Sequence, residues 1–206
     1  MSKGRERELK YLYTAARPPQ LPEGWSLTAE EPPLALLDTY LDADGALAAR
    51  GWSLRRREGE GGNKIYTLKR DAMAVGALHS REEIEAVALG EAGDPDATAL
   101  PEEIRSAIDR EFGLDATVRL RPTIALTQHR RSWTLARQGL TVAVMTIDQI
   151  TAGGTSWGEL EVEFVSSLSD DDVQRFAQEL HAALEQSPQI SISTESKGER
   201  ARRLSL

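Results

Sequence analysis

The 206-residue sequence predicts a mainly β protein with a few flanking helices, an α+β chain arranged as an antiparallel barrel or sandwich. Three observations predict it. Segments that alternate polar and apolar residues recur along the chain, turn residues fill the breaks between them, and only short stretches show a helical period.

Residues 5–13, 52–57, 64–69, 82–89, 118–121, 124–136, 141–150 and 159–165 each have period two, and several are rich in Val, Ile, Thr, Trp and Tyr, so each is expected to form a strand. The segment 59–63, Gln138-Gly139 and the Gly153-Gly154 pair supply hairpin turns, which makes most of the sheet antiparallel. Residues 14–33 hold several prolines and no period, and read as a loop wrapping the sheet. A short helix is expected over 45–50, ahead of Gly51. A second runs over 101–112, with Pro101 at its start, Ile104 and Ile108 on one face and Gly113 as its stop. The third follows Ser169 as N-cap, with Asp170, Asp171 and Asp172 at the positive end of its dipole and an apolar stripe of Val173, Phe176, Ala177, Leu180 and Leu184. No repeat or linker divides the chain, so one domain over residues 1–206 is expected.

Composition narrows the chemistry. There is no cysteine, which excludes disulfide scaffolds, zinc-cysteine sites and thiol nucleophiles, and His79, His129 and His181 are the only imidazoles. Chemistry must come from carboxylates, Lys and Arg. No apolar run approaches the roughly 20 residues that span a bilayer, and the polar start lacks the apolar stretch of a signal peptide. A cytoplasmic protein is therefore expected. The formal charge of −8, from 25 basic and 33 acidic residues, argues against nonspecific binding to nucleic acid or to an anionic membrane.

In a strand, alternate side chains share a face. Glu6, Glu8 and Lys10 then lie together, as do Arg55 and Arg57, Thr67 and Lys69, Glu83 and Glu85, and Glu159, Glu161 and Glu163. Any one such pair is explained by a solvent-facing sheet surface. The ensemble is less ordinary, because acids segregate onto some strands and bases onto others. If those faces turn inward, the acids can hold a divalent cation and the bases can clamp a polyanion.

The charged segments also follow a family order. Glu6-Arg7-Glu8-Leu9-Lys10 is followed by Leu54-Arg55-Arg56-Arg57, Thr67-Leu68-Lys69, Arg81-Glu82-Glu83-Ile84-Glu85, Arg130 three residues before Trp133, Ile147-Asp148, Glu159-Leu160-Glu161-Val162-Glu163 and Ser196-Lys197. This set resembles the CYTH superfamily, also called triphosphate tunnel metalloenzymes, and within it the bacterial CYTH domains of inorganic triphosphatase type. The resemblance implies an eight-stranded antiparallel closed barrel whose polar interior forms a tunnel for triphosphate substrates with Mg²⁺ or Mn²⁺. It places Glu6, Glu8, Asp148, Glu159 and Glu161 on the metal side. Lys10, Arg55, Arg57, Lys69, Arg130 and Lys197 fall on the phosphate side, and Glu159, Glu161 and Lys10 take the catalytic positions. Glu83, Glu85, Arg119 and Arg121 are weaker matches. Hydrolysis would use a water activated by metal, carboxylate or lysine and would need no covalent nucleophile.

The substrate expected is inorganic triphosphate, a small molecule, cleaved to pyrophosphate and phosphate. Ser53 stands where thiamine triphosphatases of the family carry a tryptophan, and Trp52 has the outward parity. Trp25 and Trp157 read as loop anchors. The rival readings are a nucleoside or thiamine triphosphate hydrolase, an adenylate cyclase of class IV type, and a non-catalytic polyphosphate-binding module. Oligomeric state has no signal in the sequence.

Overall fold

The computed structural model describes residues 2–59, 63–71, 73–88, 100–113 and 119–205. In chain order the strands are β1 (Ser2–Tyr13), β2 (Trp25–Glu30), β3 (Leu34–Asp42), β4 (Trp52–Glu58), β5 (Lys64–Arg70), β6 (Met73–Val75) and β7 (Leu78–Ala88). Helix α1 (Glu102–Phe112) precedes β8 (Arg121–Arg137), β9 (Leu140–Ala152) and β10 (Thr155–Phe164). Helix α2 (Asp170–Leu184), β11 (Ile190–Ile192) and α3 (Lys197–Leu204) complete the fold.

Eight strands close into a ring in the order β1-β10-β9-β8-β3-β4-β5-β7, and β7 pairs back onto β1. Every pairing in the ring is antiparallel. The expected closed eight-stranded barrel is therefore present, and closure leaves the ring without a free edge. The short strands β2, β6 and β11 pair onto β8, β7 and β1 outside it. The β9–β10 turn shows how local sequence sets a hairpin: Gly153 and Gly154 have φ of 56° and 81°, the left-handed pair that a two-residue hairpin loop requires.

The apolar core lies outside the barrel wall. Leu9, Tyr11, Trp133, Met145, Leu160 and Val162 point outward from their strands and pack under Val173, Ala177, Leu180 and Leu184 of α2. On the other flank, Trp52, Leu54, Tyr66 and Leu68 pack under Ile104, Ile108 and Phe112 of α1. Each fully buried aliphatic or aromatic side chain contributes roughly 1.5–3 kcal/mol, so the helices hold the wall from outside and leave the inward faces free to be polar. Among the described residues no helix is long and apolar enough to cross a membrane.

The strand reading needs correction at several points. The eighth barrel strand is β3, not the expected 118–121 strand. Val118 lies outside the described residues, Arg119 forms only an isolated bridge, and Arg121 begins the long β8. The β3 sequence hides its role because its face toward the interior mixes Leu36, Asp38 and Tyr40, so no polar period survives. The supposed loop over 14–33 contains β2, and Trp25 is a buried strand residue whose indole N–H donates to Glu179 and whose ring meets Phe176 edge-on. The helix expected over 45–50 is a 3₁₀ turn confined to Ala48–Arg50. Leu89, the expected end of β7, and residues 60–62 of the β4–β5 turn lie outside the described residues. Helix α3 was not expected, although Ser196 and Glu199 form a complete capping box at its start.

Candidate active site

The alternation that sends apolar residues outward sends the charged partners inward, and the ring brings them together. Lys10 on β1 lies opposite Glu161 on β10, and Asp148 on β9 lies between Glu159 of β10 and Arg130 of β8. Helix α3 supplies the remaining cation. Its N-cap sets Lys197 at the first helical position, and Gly198 lies flat on the Tyr40 ring, where an added Cβ would come within 2.7 Å of a ring carbon. Ala201 packs with Tyr40, Leu126 and Ile150, so α3 closes that end of the barrel.

Three groups of ion pairs fill the interior. In the first, Glu161 accepts from Lys197 at 2.7 Å and lies 3.2 Å from Lys10 and 3.5 Å from Arg130. Asp148 receives Arg130 through two hydrogen bonds of 2.8 and 2.7 Å and Lys197 at 2.8 Å. Glu159 lies 3.5 Å from Lys10, and its Oε1 accepts from the Trp157 indole at 2.8 Å. In the second, Glu6 joins Lys69 at 2.8 Å and also Arg81, which reaches Glu8 at 2.7 Å, while Lys69 meets Glu83 at 3.0 Å. In the third, Asp38 receives both Nε and Nη2 of Arg57 at 2.7 and 2.8 Å and the Gln128 amide at 2.6 Å. Arg55 lies 3.6 Å from Asp38 and donates to Thr67, whose hydroxyl faces Glu85 at 3.4 Å.

The structure thus brings together Glu6, Glu8, Lys10, Arg55, Arg57, Lys69, Asp148, Glu159, Glu161 and Lys197 with Arg130, and sets Glu83 and Glu85 at the margin of the same interior. Arg119 and Arg121 are exposed and join none of these ion pairs, which removes them from the site. Arg131 faces outward over Trp133, its guanidinium 4.8 Å from the ring centroid, as its parity requires. Asp38, Gln128 and Arg200, which lies 3.7 Å from Glu159, were missed. Arg81 was legible: it has the same parity as Glu83 and Glu85 within a segment already singled out.

Burying so many charges does not stabilise a fold, because desolvation costs several kcal/mol per ion and pairing does little more than offset it. Asp38, Asp148 and Glu159 have no exposed surface at all. Such a concentration makes the interior the candidate functional site. Its electrostatics are divided. Burial opposes ionisation of Glu161, yet Lys197, Lys10 and Arg130 hold its carboxyl well below the usual range. Asp38 is held at about 2, since Arg55 and Arg57 outweigh its burial. Glu8 goes the other way, raised by burial and by the neighbouring charges of Glu161 and Glu6. Glu163, exposed on the same face of β10, is pushed up to about 7 by partial desolvation and by Glu6 and Glu8, against the pull of Lys69. Burial would lower Lys10 and Lys197, but the carboxylates around them raise both instead.

The acids suit a hard divalent cation in kind: all are oxygen donors, the Oε2 atom of Glu159 is buried with no hydrogen-bond partner, and Glu8 feels repulsion from Glu161 and Glu6 that Arg81 and Lys10 only partly offset. Among the described residues no three acids or imidazoles already converge on one point. Lys10, Lys197 and Arg130 occupy that space. Outside the barrel, a groove of about 700 Å³ between Tyr13, the prolines Pro18 and Pro19 and the end of α2 holds no buried charge.

Comparison with known proteins agrees with this architecture. HpAC1 from Hippeastrum, described as a candidate adenylyl cyclase with a dominant triphosphatase activity, is 16% identical; the match covers 98% of this chain and 97% of that one with a TM-score of 0.67. A candidate adenylate cyclase from Bacillus halodurans is 18% identical over 97% and 98% of the two chains, TM-score 0.63. The PH1819 protein of Pyrococcus horikoshii is 16% identical over 97% and 99%, TM-score 0.58. These similarities concern the fold. No curated protein matches the sequence significantly. The CYTH domain model, however, matches residues 4–200, nearly the whole chain, and with that match the protein belongs to the CYTH family.

Proposed function

We propose that this protein is a divalent-metal-dependent inorganic triphosphatase, converting tripolyphosphate and water to pyrophosphate and phosphate. The observation that carries the reading is the convergence of Lys10, Arg55, Arg57, Lys69, Arg130 and Lys197, from five different elements, on one enclosed interior that also holds the acids. A compact polyanion with a bound cation matches both halves of that charge. Family membership supports a triphosphate substrate.

In this mechanism the arginines supply planar forks for the non-bridging oxygens, and the lysines act as fixed positive charges. Glu159 and Glu161, with Glu6, Glu8 and Asp148, would hold Mg²⁺ or Mn²⁺, which supplies charge neutralisation at the reacting phosphoryl group. A water oxygen forms a bond to the terminal phosphorus, the bond to the bridging oxygen breaks, and pyrophosphate leaves. The proton released by the water passes to a carboxylate or a lysine lining the interior.

Substrate choice follows from the aromatic side chains. Tyr40 lies under α3 and Trp157 is tied to Glu159, so neither ring is presented to a base. Binding energy must come from phosphate contacts, and tripolyphosphate is expected to exceed ATP in kcat/KM by at least about tenfold, or roughly 1.4 kcal/mol. Phosphate release from tripolyphosphate, ATP and thiamine triphosphate, each with Mg²⁺ and with Mn²⁺, tests this. Equal use of ATP would favour a nucleotide hydrolase, and cyclic AMP as product would establish a cyclase.

The pH profile is a second check. Glu163 loses its charge as pH falls through about 7 and recovers it above, and Glu8 is likewise protonated more readily than an ordinary carboxylate. Activity should therefore rise through neutrality toward the alkaline side. An acidic optimum in kcat/KM would contradict it.

A further inference from the structure

Arg57 and Arg130 are held in the same way by different acids. Each guanidinium gives its Nε and Nη2 to one carboxylate, Arg57 to Asp38 and Arg130 to Asp148, so that Nη1 is left as the donor free of that carboxylate. Asp148 belongs to the acids already assigned. Asp38 does not. It sits on β3, between β4, which carries Arg55 and Arg57, and β8, which carries Arg130 and Gln128. It has no exposed surface, and it is the shared acceptor for Arg57 and the Gln128 amide, with Arg55 at 3.6 Å. Resting on the triphosphatase reading, we propose that Asp38 is a positioning residue that presets the Arg57 fork, and with it the Arg55 side of the phosphate clamp, for the substrate.

Two effects of Asp38 on a bound polyanion oppose each other. Its negative charge lies on the basic side of the interior and repels phosphate, so removing it would tighten binding if charge alone mattered. Its bidentate grip removes the rotamer freedom of a long side chain before the substrate arrives, so removing it would weaken binding if preorganisation mattered more. A guanidinium fixed through two short hydrogen bonds to a fully buried acid favours the second. The Gln128 amide strengthens the case, because its only described partner is Asp38 and its own Oε1 accepts nothing, which makes it a brace for the carboxylate.

The test uses Asp38→Asn and Asp38→Glu, alone and combined with Arg57→Ala. KM and kcat are measured for tripolyphosphate, and affinity is measured separately by calorimetry with tripolyphosphate and Mg²⁺ in a Glu161→Gln background. Asp38→Asn is expected to weaken binding and raise KM by about tenfold or more, with a smaller change in kcat. Adding it to Arg57→Ala should change affinity by less than about twofold, because the residue acts through the arginine. Asp38→Glu keeps the charge, displaces the carboxylate and should also weaken binding; it decides the matter if Asp38→Asn does not fold, which thermal unfolding shows. Unchanged or tighter binding in the folded variants overturns the proposal, as does an undiminished effect of Asp38→Asn without Arg57. A parent protein that binds tripolyphosphate without turning it over overturns the triphosphatase reading alone. One that does not bind it overturns both.

Discussion

Glu161→Gln is expected to lower kcat for tripolyphosphate by about 100-fold or more, close to 2.7 kcal/mol of transition-state stabilisation, while the substrate still binds. Glu161 is the acid on which Lys10, Lys197 and Arg130 converge. Glutamine keeps its size and removes its charge, so the three bases are less neutralised and ground-state attraction for a polyanion is kept or increased. The loss falls on whatever the carboxylate contributes as charge develops, including its share in holding a metal. Arg57→Ala should fail in the opposite sense. It removes a fork for oxygens already charged in the ground state and so weakens binding strongly. Calorimetry and phosphate release on the same preparations separate the two patterns. A Glu161→Gln enzyme within threefold of the parent kcat would remove this residue from the chemistry. Tight binding with no turnover in the parent under any metal would leave a polyphosphate-recognition module.

The second large effect is metal removal. With excess chelator, turnover of tripolyphosphate should fall by about 1,000-fold or more and return on addition of Mg²⁺ or Mn²⁺. The enclosed carboxylates Glu6, Glu8, Asp148, Glu159 and Glu161 repel a polyanion unless a cation intervenes, and the raised Glu8 carboxyl shows that the native bases do not neutralise the cluster completely. Phosphate release, assayed in EDTA and then with graded Mg²⁺, measures it. Full activity in excess EDTA would show that the lysines and arginines suffice on their own.

Most of the inward charge was legible because strand parity is a local property. Glu6, Glu8 and Lys10 share a face in any extended conformation, and so do Glu159 and Glu161. What hid Asp38 is the fading of that signal near the closed end, where β3 turns Leu36, Asp38 and Tyr40 toward the same side and apolar packing under α3 replaces polar lining. Arg121 misled for the converse reason. It alternates with apolar neighbours at the start of β8, but the strand begins there exposed, with the Tyr40/Leu41 irregularity of β3 opposite its first residues.

By itself, then, the sequence determined the strand-rich class, the segregation of acids from bases, the helices α1 and α2 and the family, because each follows from spacing within a few residues or from ordered motifs along the chain. Only the tertiary structure decided which acid meets which base. Glu6 finds Lys69 and Arg81 across a sequence separation of 63 and 75 residues, and Lys197 enters the interior from a helix that no strand period announces. Those pairings depend on strand register and on closure of β7 onto β1. A one-residue slip of a strand would turn that strand's charged side chains to the outer face, and an open sheet would leave the second ion-pair group without its partners.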